Sequence, residues 1–305
     1  MNTMLQEVTA WMHRNARELE LACWRYHFEN GSAEAVLTAI LPYRNEDGGF
    51  GHAIEADNWN PSSTAISTIT AFELLLSVGM DGAHPVMQGM LDYFENTSDH
   101  GVWHFTVPAN NDGPHAPWWT YTGKHDDTQD MGVTSKIDAF ALNYADPARK
   151  LYQQAAADAV KLLGNAARVE DLGDNGIPGL SALAKAAEKH GIGGWDTETV
   201  AEQLRVLVNH AIERDTAKWA FYGCRPSNLI RSPQSPYYAE NKEIVEAELD
   251  YLEKTRHLGG VWDITWTWFD NMAQYAPQFA VSENWWKGVK AIENMTFLRN
   301  FGRVK

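Results

Sequence analysis

Apolar residues along the chain recur at helical rather than strand spacing. Met4 to Trp24 places Leu5, Val8, Met12, Leu19 and Cys23 close to a 3.6-residue period, and Ala33 to Tyr43 continues in the same way. Pro61 suits a first helical turn with Asn60 as its cap, and Ala65, Ile69, Phe72 and Leu76 follow as one stripe closed by Gly79. Pro85 opens another helix, which carries Val86, Met90, Tyr93 and Phe94. Further helices are expected at Val133–Tyr144, Ala148–Leu163, Leu180–His190, Glu198–Arg214, Lys242–Thr255, Asn271–Phe279 and Asn284–Phe297. Alternating strand patterns are almost absent. The expected fold class is all-α.

An internal repeat divides this helical pattern. Leu91-Asp92-Tyr93-Phe94-Glu95-Asn96-Thr97 precedes Gly101-Val102-Trp103, and Leu249-Asp250-Tyr251-Leu252-Glu253-Lys254-Thr255 precedes Gly260-Val261-Trp262 with one extra residue between. Tyr43-Arg44-Asn45-Glu46-Asp47-Gly48-Gly49-Phe50-Gly51 is a shorter relative, and Gly193-Gly194-Trp195 a degenerate one. Phe50 to Trp103 is 53 positions, and Trp103 to Trp262 is 159, three times that. Each unit reads as helix, glycine-then-aromatic turn, helix. Glycine lets the backbone leave the helix left-handed, and the aromatic packs back across the pair. One hairpin cannot bury both faces, so the hairpins must stack. About six of them can close into a ring around a central cavity; an open solenoid satisfies the same period.

Asp47-Gly48-Gly49-Phe50-Gly51, followed by Pro61, Thr64 and a helix ending at Gly79, resembles the repeat of terpenoid cyclases and protein prenyltransferase β-subunits. The two Leu-Asp-Tyr…Gly-Val-Trp copies resemble the Gln-Trp repeat of squalene-hopene cyclases, with the glutamine position replaced. The resemblance implies an α/α toroid, here a single domain over residues 1–305 with a long loop insertion near 106–130. It also implies an isoprenoid or similar apolar small molecule as substrate, transformed by a carboxylic general acid through carbocation chemistry. The chain departs from those families at their chemistry. It lacks the Asp-x-Asp-Asp acid motif of triterpene cyclases, and neither Cys23 nor Cys224 has the aspartate two residues earlier that the prenyltransferase zinc site uses.

Composition narrows the partners. Forty acids against 25 bases give a formal net charge of −15, which repels nucleic acid and anionic membranes. No apolar run approaches the ~18 residues of a membrane span. Residues Met1 to Glu20 lack a signal-peptide core, and two cysteines make no disulfide framework, so a soluble cytoplasmic protein with a small-molecule substrate is expected. Oligomeric state is not legible. Thirteen Trp, 11 Tyr and 11 Phe are numerous enough to line a pocket as well as fill a core.

Five stretches carry candidate chemistry. In Gly51–Asn60, Glu55 and Asp57 are candidate acids beside His52 and Trp59, which would contact substrate; the plainer reading has Asp57, Asn58 and Asn60 capping a helix while Glu55 ties down the turn. Within the insertion, Pro114–Trp119 is expected to be extended because of its two prolines, displaying His115 as a further catalytic candidate and Trp118 and Trp119 as cation-stabilising or sugar-stacking walls. A loop merely anchored by its aromatics is the alternative. Asp126 and Asp127 are a third pair of candidate acids, and with Asp130 they match a spacing that can hold Mg²⁺; capping the next helix explains the same letters. Trp262, Trp266 and Trp268 share a face if the segment is extended, with Asp263 opposite, and Trp262, Trp266 and Phe269 share one if it is helical; either gives an aromatic wall or core packing. Arg225 and Tyr237 lie in a proline-rich loop, where an arginine can meet an anionic ligand. The histidines show no metal-ligand spacing, so no structural metal is expected.

Two alternatives to the isoprenoid enzyme stand beside it: a carbohydrate-active hydrolase or lyase on the same toroid, and a non-catalytic small-molecule binder. The cavity discriminates. A deep, mostly apolar chamber favours the isoprenoid; an open cleft with polar walls and indole platforms favours a sugar.

Overall fold

The structure is a computed structural model that describes residues 3–166, 169, 172–257 and 259–304, the side chains of 173–175 excepted. The described residues form α1 (Thr3–Asn15), α2 (Glu18–Phe28), α3 (Ala33–Ile40), α4 (Ala65–Ser77), α5 (Pro85–Thr97) and α6 (Asp127–Tyr144). These are followed by α7 (Lys150–Asn165), α8 (Gly173–Lys189), α9 (Thr197–Ala211), α10 (Pro226–Leu229), α11 (Tyr238–Thr255) and α12 (Met272–Asn300). There is no strand among the described residues, only isolated bridges such as Arg44–Phe50 and Asp99–Val102. The chain is all-α, as its periodicity indicates. No helix among the described residues is long and apolar enough to cross a membrane.

Helix ends differ from expectation where side chains compete for the backbone. The stretch Met4–Trp24 is two helices, broken at Ala16–Arg17. The helix after Pro61 starts only at Ala65, because Thr64 rather than Asn60 is its cap: Thr64 Oγ1 accepts the Ser67 N–H at 3.1 Å. Asn60 instead turns its oxygen onto Ser62 N. The helix expected from Val133 begins six residues earlier, at Asp127, capped by Asp126. The two helices expected between Asn271 and Phe297 are joined in α12, with a single non-helical residue at Tyr275 two positions before Pro277.

The chain divides into two compact units. Unit 1 comprises 1–42, 114–118 and 211–305; unit 2 comprises 43–113 and 119–210. In unit 2, α6 packs against α7 and α8. Helices α6 and α8 approach so closely that a Cβ on Gly179 would lie 2.5 Å from the Gly132 carbonyl oxygen. Phe72 stacks on Phe140 at 4.3 Å, and Phe50, Phe94, Met87 and Met90 complete that core. In unit 1, α2 packs against α3 and α12, with Trp24, Trp219, Trp268, Val245, Leu249 and Leu298 buried.

The repeat is real in three dimensions. Trp103 Nε1 donates to the Phe94 carbonyl at 3.1 Å, and Trp262 Nε1 donates to the equivalent Leu252 carbonyl at 2.9 Å. Thr97 and Thr255 each donate to the carbonyl of the tyrosine four residues earlier. The glycine two residues before each aromatic takes positive φ: +88° at Gly48 and Gly101, +108° at Gly260. At Trp195 the left-handed glycine is the adjacent Gly194 instead. Glycine is required at these turns by space as well as torsion, since a Cβ at Gly48 would meet Gly89 O at 2.4 Å and one at Gly260 would meet Glu7 O at 2.7 Å.

Candidate functional site

In unit 1, α11, α12 and the segment after Gly260 leave a cleft of about 250 Å³. The repeat turn sets Trp262 on one wall, anchored through its indole to α11, and the chain then carries Asp263, Thr265 and Trp266 along the rim. Tyr251 of α11 and Lys290 and Asn294 of α12 face them. Trp286 stands one helical turn before Lys290, edge-on to Trp266 at 5.2 Å. Lys290 Nζ lies 5.8 Å from the Trp266 ring and 5.7 Å from that of Trp286, a cation held against two indole faces. A neighbouring concavity of about 160 Å³ shares Arg225 with the cleft and is edged by Phe221 and Tyr222, both largely exposed.

The polar groups of this cleft are ordered by charge. Burial draws the Asp263 carboxyl upward, but Lys287 at 3.0 Å and the His257 ring outweigh it and hold the group below its ordinary range. Beside the cleft, Glu293 accepts from Lys290 at 2.8 Å. Its surroundings likewise raise its pKa, and Lys290, Arg231 and Arg225 outweigh them to keep it ionised. Glu248 behaves oppositely: it is fully enclosed, and burial lifts its pKa despite Arg225 at 3.5 Å. Both its oxygens are engaged by Ser227, through N–H at 2.7 Å and hydroxyl at 2.6 Å, so it ties α10 to α11. Among the described residues, Asn294 Nδ2 in the cleft wall, on a residue 4% exposed, has no partner, and neither does Trp286 Nε1 beside it. A buried amide left without an acceptor costs about 1–3 kcal/mol, which a ligand oxygen would recover.

Of the residues singled out in the sequence, Arg225, Trp262 and Trp266 meet at this cleft. Trp268 does not share their face; it is fully buried against Tyr275 and Phe279, because the segment turns instead of running extended. Asp263, which an extended segment would set opposite the tryptophans, lines the same cleft as Trp262 for the same reason. Tyr237 stands at the start of α11, where its carbonyl accepts from Asn241. The Pro114–Trp119 stretch is not fully extended, since Pro117–Trp119 forms a single 3₁₀ turn. In unit 1, His115 is buried near Tyr275 and its carbonyl accepts from Asn271, while Trp118 lies edge-on to Phe269.

Unit 2 holds the others. Glu55 Oε2 accepts the Asp57 N–H at 3.0 Å, so this carboxylate does tie down its turn; both residues are buried. Trp59 donates to the Ala56 carbonyl, and His52 bonds Asn45 from a left-handed backbone, φ +55°. Trp119 stacks on Phe105 at 4.7 Å. Asp126 Oδ1 accepts from the Thr128 and Gln129 amides, capping α6, and Asp127 is exposed in its first turn. Asp130 turns away from them: its Oδ2 lies 2.6 Å from His104 Nδ1 and its Oδ1 accepts the Phe105 N–H. The three aspartates therefore do not converge on a shared Mg²⁺.

Several residues carry no motif in the sequence. Trp286, Lys290, Glu293 and Asn294 fall at i, i+4, i+7 and i+8 on α12, so polar groups on one otherwise packed helical face were the available signal. Asp138 of α6 is fully buried, neither oxygen has a partner among the described residues, and burial plus the nearby Asp158 push its pKa well above the usual range. Comparison with protein-family models, with curated proteins and with solved structures finds no match to this chain.

Proposed function

We propose that the unit 1 cleft binds a small hydroxyl-rich ligand of the saccharide type, and that the chain acts as a binder of such molecules. The observation that carries this reading is the pairing of indole walls, Trp262 and Trp266, with the unpartnered Asn294 amide and the Lys290 ammonium. Sugar rings offer an apolar face for stacking and a rim of hydroxyls for hydrogen bonds, and these walls present both. The volume supports a ligand of one ring, since about 250 Å³ falls short of the roughly 300–1,000 Å³ of pockets for drug-sized molecules. Phe221 and Tyr222 across Arg225 give a second ring somewhere to rest. The carboxylates here, Asp263 and Glu293, are held ionised. They can accept hydrogen bonds from hydroxyls, and pKa values lowered by their cationic partners suit them to that role rather than to proton donation.

Closure of the helical hairpins into an α/α toroid belongs to the same proposal, supported by the three glycine–aromatic turns of one build. A cytoplasmic location is supported by two unbridged thiols, Cys23 and Cys224. A second reading, general-acid chemistry on an isoprenoid, is favoured by Asp138, a carboxyl whose pKa burial raises well above the usual range. Turnover of prenyl diphosphates by the protein, lost in Asp138→Asn, would support that reading over the first.

The test is a fluorescence titration with glucose, glucuronate, N-acetylglucosamine and their β-1,4-linked dimers. Saturable quenching is expected for at least one of them. Asn294→Ala is expected to weaken it by up to about tenfold, one hydrogen bond's worth. Quenching by none of the six, or quenching indifferent to both Trp266→Ala and Asn294→Ala, would remove the proposal.

A further inference from the structure

We propose that unit 2 carries a divalent metal site of the zinc class, with His104, His125 and Asp130 as ligands. The three come from separate stretches: His104 follows the turn after α5, His125 precedes α6, and Asp130 lies in its first turn. One ligand atom from each lies within 4.8 Å of the other two. Asp130 is 4% exposed, and its carboxylate is fixed from both sides, by His104 Nδ1 at 2.6 Å and by the Phe105 N–H at 2.6 Å. The His125 ring lies flat on that of His104, centroids 3.5 Å apart and planes within 15°.

Donor atoms around a tetrahedral ion with bonds of about 2.0–2.2 Å sit about 3.4 Å apart. Asp130 and His104 need only open slightly to admit the ion. His125, which is exposed, must turn its ring edge toward them, because parallel stacked rings aim their lone pairs side by side. The ion replaces the proton shared between His104 Nδ1 and Asp130 Oδ2. His104 stays neutral, its proton passing to Nε2, where Asp99 Oδ2 waits 3.4 Å away. A ligating imidazole whose other N–H is held by a carboxylate is oriented and made more basic. Asp99 is itself set by the turn, exchanging both backbone hydrogen bonds with Val102 across left-handed His100 and Gly101. Two imidazoles and one carboxylate suit zinc, cobalt or nickel, whereas magnesium and calcium take oxygen ligands. Three protein ligands leave one position for water or a ligand.

Chelator-stripped protein titrated with Zn²⁺ alone, by calorimetry, tests the site, with Co²⁺ absorption as a second readout. One ion per chain is expected, with a Co²⁺ spectrum of nitrogen–oxygen ligation. His125→Ala, a change at an exposed residue that should leave folding intact, is expected to abolish stoichiometric binding, as is His104→Ala. Asp99→Asn should weaken binding 10- to 100-fold. His210→Ala, at an exposed residue of α9, should leave it unchanged. Absence of stoichiometric binding would overturn the proposal. So would binding that survives His125→Ala, or binding abolished by Asp127→Asn, which would assign the ion to the acidic run instead.

Discussion

Replacing Asp138 by asparagine isolates one buried titratable group and predicts its effect on stability. The carboxyl sits at 0% exposure in α6, with neither oxygen hydrogen-bonded, and burial and Asp158 raise its pKa well above the 3.8 of a free aspartate. The unfolded chain loses this proton near pH 4, while the folded chain keeps it to higher pH. Below the unfolded pKa both states are protonated and the folded state carries no penalty. As pH rises above it, folding must take up a proton, and stability falls by about 1.4 kcal/mol per pH unit until the folded pKa is reached. Asparagine has nearly the same shape and no proton to exchange, so Asp138→Asn should remove this slope. Urea unfolding followed by circular dichroism at pH 4, 5 and 6 measures it. Wild type and variant should lie close together at pH 4, and the variant should gain on the wild type as pH rises, by at most about 1.4 kcal/mol per unit, at unchanged m-value. Parallel pH profiles would mean that the carboxyl ionises in the folded protein, and would refute the reasoning.

Gly260→Ala forces a side chain onto φ +108° with its Cβ 2.7 Å from Glu7 O, and should lower stability by on the order of 1–3 kcal/mol in thermal melts. Asp126→Ala removes the cap of α6 and should lower the urea-derived stability by about 1 kcal/mol without altering saccharide binding. Cys23 is 5% exposed, and burial, helped by Glu20, pushes its thiol up to about 12. Iodoacetamide at pH 8 should therefore modify Cys224 in the native protein and Cys23 only after unfolding, as read by mass spectrometry.

Helices were the legible part of this chain because apolar periodicity reports burial directly. The repeat was legible too: the matched Leu-Asp-Tyr and Gly-Val-Trp letters mark positions where both copies make the same tryptophan-to-carbonyl bond. Helix starts were less so, since Thr64 and Asn60 are both good caps and only the surrounding turn decides between them. The wall formed by α12 went unread because Lys290, Glu293 and Asn294 look like a solvated face until Trp266 and Trp262 are brought opposite. His104, His125 and Asp130 were hidden for a related reason. They are separated by a 20-residue stretch and gather only when the α5 turn and the α6 cap are both in place. The aspartate run was visible, but its letters serve two purposes, and the cap at Asp126 sends Asp130 to a histidine instead of to its neighbours.

The claim that a saccharide-type ligand occupies the unit 1 cleft is tested most directly by nitrogen–proton correlation spectra recorded during sugar titration. The indole signals of Trp266 and Trp286 and the side-chain amide of Asn294 should shift together, saturably, while those of Trp24 and Trp219 in the core stay fixed. Geraniol should leave the first three in place. Sugars that move none of them, or geraniol moving all three, would contradict the account.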